Sequence, residues 1–232
     1  MPPPLLSSKE LLKLLRSVNT ILSIRFNLHD TLPPHFRDYN IHDGRATFTV
    51  KDEFEVDVTV ATDDPSTQLF CIDFRLIFEP ALKEIPNSRF RMEMESRSNE
   101  ILRTRGLEGL YDFLHDFVMT HKIMMLRRQA LEMLSGRWTE TIHPSLHKRT
   151  LFLHYWTNRP DVKNWIEIGV MRPRGKEPSR LGVRWFRDSK EVKDVAIPIV
   201  RKWDMVRQEC GLGLLMISVN HRILVLFRRR CL

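Results

Sequence analysis

The residues able to do chemistry are spaced in ways that argue against it. Nine histidines occur, but His143 and His147 have Pro144 between them, which denies them one shared helix face. His115 and His121 are six apart, so they do not meet as i, i+4 ligands. There is no HExxH and no CxxC, the spacings that zinc sites require. Asp112 and Asp116 are i, i+4 carboxylates with the geometry for paired acid/base work. Their neighbours Phe113, Leu114, Phe117 and Val118 mark them instead as the polar edge of a packed helix. His121, on an apolar stripe, is expected to be a hydrogen-bonded core residue. Gly211 and Gly213 lack the third glycine of a dinucleotide fingerprint, and no P-loop or GxSxG is present. Cys71 sits inside an apolar run and is most simply a small buried hydrophobe. No catalytic, metal-binding or cofactor-binding residue is assigned, and the chain is not expected to be an enzyme.

Aromatic and basic residues carry more information. All five tryptophans, Trp138, Trp156, Trp165, Trp185 and Trp203, lie in the second half of the chain. Residues 1–126 hold 15 Lys+Arg against 19 Asp+Glu, a net −4, whereas residues 127–232 hold 22 against 10, a net +12; together they make the +8 of the whole. This asymmetry admits an alternative function, a nucleic-acid-binding module, with Trp185 and Phe186 stacking bases between Arg184 and Arg187. Only Arg228, Arg229 and Arg230 form a run, shorter than a typical basic patch. On a strand Trp185 and Phe186 point to opposite faces, so one of them is available to a partner. These features favour an interaction protein.

The elements that position these residues follow from periodicity. Ser7 and Glu10 have capping-box spacing. Leu11, Leu15, Val18 and Leu22 then recur at steps of four, three and four, a narrow stripe close to a coiled-coil seam. Leu14 and Ile21 widen it, and the helix fades by about Phe26. These features make Leu11, Leu15, Val18 and Leu22, with Trp185 and Phe186, the expected partner interface.

Ala46, Phe48 and Val50 alternate with threonines, and Phe54, Val56, Val58 and Val60 with Glu55, Asp57 and Thr59, as half-buried strands do. With Leu69–Phe78 they form an antiparallel three-stranded meander over 45–78. Pro80 and Pro86 bound a loop. Residues 87–105 and 107–134 are expected helices separated at Gly106, the second with a stripe of Leu107, Leu110, Leu114, Phe117, His121, Met124 and Leu131, stopping at Gly136. A second meander begins near Arg149: Leu151–Trp156, apolar on both faces, Trp165–Val170 and Leu181–Phe186, with Arg172–Ser179 as a hairpin loop.

The fold class is therefore α+β: an N-terminal amphipathic helix, a three-stranded meander, two helices and a second antiparallel meander. Residues 1–26 form the N-terminal helix, 27–135 a first α+β module and 136–195 the second meander, which starts a further module. Residues 196–232 are an atypical tail.

With 232 residues, the chain is long enough for one large or two small cores without staples. Three cysteines with no close pair exclude a disulfide framework and suit a reducing compartment. No apolar run is long enough to make an ordinary transmembrane helix, and the N-terminus lacks the pattern of a signal peptide.

Several segments, in order, resemble one family: SVNTILSIRFNLHDTLP (17–33), GRATFTVKDEFEVDVTVA (44–61), IDFR (72–75), GLEGLYDFLHDFVMTHKI (106–123), LRRQA (126–130), GRW (136–138) and SRLGVRWFRD (179–188). The family is Mediator of RNA polymerase II transcription subunit 14, in its N-terminal part and in a filamentous-fungal form. The resemblance covers about residues 5–195. It implies a nuclear, non-enzymatic scaffold of the Mediator coactivator, contacting other Mediator subunits of the head and middle modules and linking regulators indirectly to RNA polymerase II. It implies no cofactor, no small-molecule substrate, no membrane and no direct nucleic-acid contact. The family is several times longer and begins with a helical segment not found here.

Beyond about Val195 the likeness ends and the composition changes, with Leu214–Val219 and Ile223–Phe227 flanking Asn220-His221. One expectation for this tail is a hairpin. The other is a segment foreign to the fold, translated from an unspliced intron.

Overall fold

The computed structural model describes residues 7–78, 88–135, 139–157, 163–172 and 178–192. The Pro80–Pro86 loop, the Gly136 stop, Trp138, Trp203, most of the Arg172–Ser179 loop and the whole 196–232 tail lie outside these residues. The chain divides into two units, residues 1–118 and 119–232.

In the first unit, α1 (Ser8–Leu28) opens on the expected capping box. The Ser7 backbone N–H donates to Glu10 Oε2 at 2.8 Å and the Glu10 N–H donates to the Ser7 hydroxyl at 3.4 Å. The Ser7 hydroxyl, donating to Glu10 Oε2 at 2.7 Å, and after it the Ser7 backbone N–H favour the ionised carboxylate and hold the Glu10 pKa below its ordinary value. The helix runs two residues beyond Phe26. Its buried residues are Leu22, Arg25 and Phe26, and Arg25 Nε donates to Asp30 Oδ2 at 2.6 Å just past the helix end.

After a one-turn 3-10 helix at Pro34–Phe36 come β1 (Tyr39–His42), β2 (Arg45–Val50), β3 (Phe54–Val60) and β4 (Leu69–Leu76). They lie in the order β1-β2-β3-β4, each antiparallel to its sequence neighbour. The three expected strands correspond to β2, β3 and β4. The additional β1 has an alternately half-buried and exposed pattern and no apolar period to betray it. Asp43-Gly44 joins β1 to β2, with φ of 50° and 74°, the positive angles that a two-residue hairpin turn demands. A Cβ on Gly44 would lie 2.9 Å from Leu15 Cδ2 of α1, the far end of a side chain that could shift aside, so it is the positive φ that favours glycine there.

Phe48, Phe54, Val56 and Val58 are fully buried, with α1 packed on β2 and β3. Phe36 stacks on Phe48 with centroids 4.7 Å apart and meets Tyr111 edge-on at 5.8 Å. The opposite face of the sheet is polar. There Asp57, 1% exposed, accepts from Thr47 Oγ1 (2.7 Å), Arg45 Nη1 (3.1 Å) and Arg75 Nη2 (3.0 Å). Two guanidinium groups and a hydroxyl thus satisfy a carboxylate that would otherwise be costly to bury. Arg75 and Arg91 also hold Asp73, at 3.2 and 2.6 Å.

The helix α2 (Ser88–Leu134) is interrupted at Gly106, with φ 63° and ψ −155°, a conformation open essentially to glycine alone. The break falls where the sequence places it. Leu107, Leu110 and Leu114 are buried as expected. Phe117 and His121 are half-buried, and the end of the expected stripe is corrected: Met124 and Leu131 are 45% and 46% exposed, whereas Met119, Ile123, Leu126 and Ala130 are buried. The buried positions 107, 111, 114 and 118 step by four, three and four; 119, 123, 126 and 130 repeat those steps one residue later. A single stripe carried through from Leu107 cannot follow this change of register, which falls at the boundary between the units.

The second unit holds β5 (Ile142–His147), β6 (Thr150–Tyr155), β7 (Asn164–Met171), β8 (Arg180–Arg187) and β9 (Lys190–Glu191), in the order β5-β6-β7-β8-β9 and antiparallel throughout. The sequence located β6, β7 and β8. It missed the two-residue β9 and β5, which contains Pro144; proline is tolerated there because β5 is an edge strand. The core joins Ile123, Leu126 and Ala130 to Ile142, Leu151, Leu153, Tyr155, Ile166, Ile168, Val183 and Trp185. Among the described residues, two α-helices and two antiparallel sheets make a mixed α/β structure.

Candidate functional site

Residues with chemical potential are engaged structurally. His115 is buried, with Nδ1 2.6 Å from Glu53 Oε2. It stacks on Tyr111, which in turn stacks on His35 with centroids 4.3 Å apart. Burial, with the Glu53 charge behind it, pushes the Tyr111 phenol well up. Asp112 is exposed and paired with Arg105 at 2.7 Å, not poised with Asp116 around a substrate. His121 is half-buried, and burial lowers its pKa. His143 and His147 lie on a strand, β5. Burial raises the Cys71 thiol to about 12, with the Glu95 charge adding to the effect. Beside it, a cavity of about 20 Å³ lined in part by Asp73, Arg91 and Met94 has room for about one water molecule. Among the described residues no group of three His, Cys, Asp or Glu could hold a metal ion. None of the described helices is long and apolar enough to cross a membrane.

Two surfaces remain. The first is on α1. Of the four expected interface residues, Leu22 is fully buried, and Leu15 and Val18 are half-buried against the Gly44 turn. The Gly44 N–H also donates to Asn19 Oδ1 at 2.9 Å, tying the turn to the helix. Leu11, 47% exposed, is the member of the stripe left to solvent, beside Leu12 at 49% and Leu14 at 50%. Leu14, expected in a widened core face, is therefore outside it. The helix is seated from Leu15 onward, and its first two turns project with apolar side chains uncovered.

The second surface is the outer face of the second sheet. Trp185 points inward, 4% exposed, with its indole N–H donating to the Tyr155 hydroxyl. Phe186 points outward and stacks on Trp165, with centroids 4.7 Å apart and planes 9° from parallel. The strand register sets His143, His154, Trp165, Phe186 and Glu191 in one row across all five strands. Burial lowers the His154 pKa, and the facing His143 lowers it further. In the neighbouring row Glu167 accepts from Trp165 Nε1 at 2.9 Å and pairs with Arg184 at 2.6 Å. Arg184 lies 5.9 Å from the Phe186 ring centroid, in cation–π range. Sequence reasoning missed His154 and Trp165 as partners of Phe186. Trp165 and Glu167 alternate with Ile166 and Ile168, which is enough to put them on one face; their pairing across strands is not local information.

The comparisons with known proteins agree in naming one family. The model of the family described as Mediator complex subunit MED14 matches residues 1–62. Mediator of RNA polymerase II transcription subunit 14 of Pyricularia oryzae is 46% identical over 214 residues, covering 86% of this chain and 19% of that protein. The same subunit of Neosartorya fischeri is 42% identical over 194 residues (81% of this chain, 18% of the relative). That of Neurospora crassa is 41% identical over 215 residues (85% and 17%). The chain thus spans less than a fifth of the length of these curated relatives. At this level of identity across most of its own length, the chain belongs to the Mediator subunit 14 family.

Proposed function

We propose that the chain is a component of the Mediator coactivator in the nucleus, a non-enzymatic scaffold segment that regulates transcription through protein–protein contact. In this reading it joins other Mediator subunits of the head and middle modules, and through them connects gene-specific regulators with RNA polymerase II. The family membership motivates the assignment. The observation that carries the mode of action is the exposed apolar start of α1, with Leu11, Leu12 and Leu14 each about half open to solvent on a helix whose first turn is fixed by its own capping box. Uncovered apolar side chains on a capped helix are a typical element of helix-in-groove recognition.

The test is affinity purification of the tagged chain from nuclei with mass spectrometry of what accompanies it. Mediator head and middle subunits are expected with the native chain and depleted with Leu11→Asp/Leu12→Asp, while circular dichroism stays unchanged because neither residue is in the core. Absence of Mediator subunits from the native purification overturns the assignment, and undiminished recovery with the double variant overturns the role of this face.

A further inference from the structure

The helix α1 carries a second apolar stripe, distinct from the one seated on the sheet. Leu14, Ile21, Ile24 and Leu28 are spaced seven, three and four, the a/d spacing of a coiled-coil seam. At about 100° per residue this line runs beside the buried stripe of Leu15, Val18, Leu22 and Phe26 and extends about 21 Å along the helix. Its members are 50% exposed at Leu14, 47% at Ile24 and 75% at Leu28, with Ile21 half-buried. A row of large apolar side chains held open on a well-seated helix costs solubility and needs an occupant.

The charges beside the stripe state what that occupant must be. Lys9, Lys13 and Arg16 are exposed on α1 and have no acidic partner among the described residues. The N-terminal end of the helix adds its own partial positive charge. Within α1 the one acid, Glu10, is bonded to Ser7, and Asp30 just past its end is paired with Arg25. A second copy of α1 therefore brings no unpaired carboxylate to these cations, and in a parallel pairing sets lysine against lysine. We infer that the Leu14–Ile21–Ile24–Leu28 stripe docks an acidic amphipathic helix of another protein, whose apolar seam meets these four residues and whose carboxylates face Lys9, Lys13 and Arg16. This deepens the scaffold reading and rests on it for the setting, naming the chemistry of one partner and placing it on a different line of α1 from Leu11 and Leu12.

The test uses the purified full chain and two labelled synthetic peptides of three heptads, both with leucine at a and d. One has glutamate at e and g, the other lysine. Fluorescence anisotropy should show the glutamate peptide binding at least about tenfold more tightly than its lysine twin, with the difference shrinking as salt rises. Ile24→Glu/Leu28→Glu should weaken binding of the glutamate peptide by about tenfold or more while leaving helix content and melting temperature unchanged, since both side chains are exposed. Equal affinity for the two peptides, no binding of the glutamate peptide, or undiminished binding by the double variant overturns the inference. So does sedimentation showing a dimer of the native chain that the double variant dissociates, because the occupant is then a second copy. The peptide assay contains no Mediator, and the nuclear purification does not probe Ile24 or Leu28, so the two readings fail separately.

Discussion

Cys71 shows how environment overrides residue type. A thiol is a ready nucleophile only as thiolate, and burial in β4 beside the Glu95 charge raises this one from 9.0 to about 12. The fold favours the neutral form, so the stability it lends is complete below pH 9 and drains away as pH rises from about 9 toward 12. Iodoacetamide at pH 8 should leave Cys71 unmodified in the folded chain and alkylate it after unfolding in urea, read by peptide mass spectrometry. Rapid modification of the native chain would contradict the burial. Asp57 makes the complementary case: alternation puts it on the polar face of β3, yet it is 1% exposed because Arg45 and Arg75 close over it. Its neighbours along the strand predict its face, but not its burial, which depends on residues 12 and 18 positions away. Trp185 and Phe186 were separable by strand parity alone. Which of them faces solvent was not, because that depends on which side the 119–134 stretch covers.

At the scale of elements, α1 was legible at its start and misread along its length. The capping box is a local device, four residues long, and it forms as the spacing requires. The apolar stripe is also local, but how much of it is buried depends on where the sheet ends beneath it. Leu22→Ala should therefore cost about 2–5 kcal/mol, whereas Leu11→Ala should stay within about 0.5 kcal/mol, both measured by urea denaturation. Equal losses at the two positions would mean that the helix is seated along its whole length. The helix α2 has the opposite history. Gly106 broke it as expected, because only glycine adopts the φ and ψ found there. The stripe after Val118 changed register by one residue because it serves a different core. The extra strands β1, β5 and β9 escaped notice for separate reasons: the first is amphipathic too weakly to show a period, the second is interrupted by proline, and the third is two residues long.

For the whole molecule, the charge asymmetry is the feature with the most ambiguous consequence. A net +12 over residues 127–232 suits nucleic acid by sign, but of the two rings offered for base stacking Trp185 is buried and Phe186 is stacked on Trp165, and Arg184 is committed to Glu167. The purified chain is expected to show no binding to duplex or single-stranded DNA tighter than micromolar at physiological salt. Tight binding with a steep log-linear salt slope would replace the scaffold reading by the nucleic-acid one. Family, mixed α/β class and the absence of a motif for chemistry were determined by the sequence itself, because long ordered strings, periodicity and caps are all properties of neighbours along the chain. Only the tertiary structure decided that Leu22 and Trp185 belong to cores, that Leu14, Ile24 and Leu28 face water, and that His154, Trp165 and Phe186 share one row. The reason is physical: a side chain's type and period set which face it occupies, but burial is a property of what arrives on that face from elsewhere in the chain.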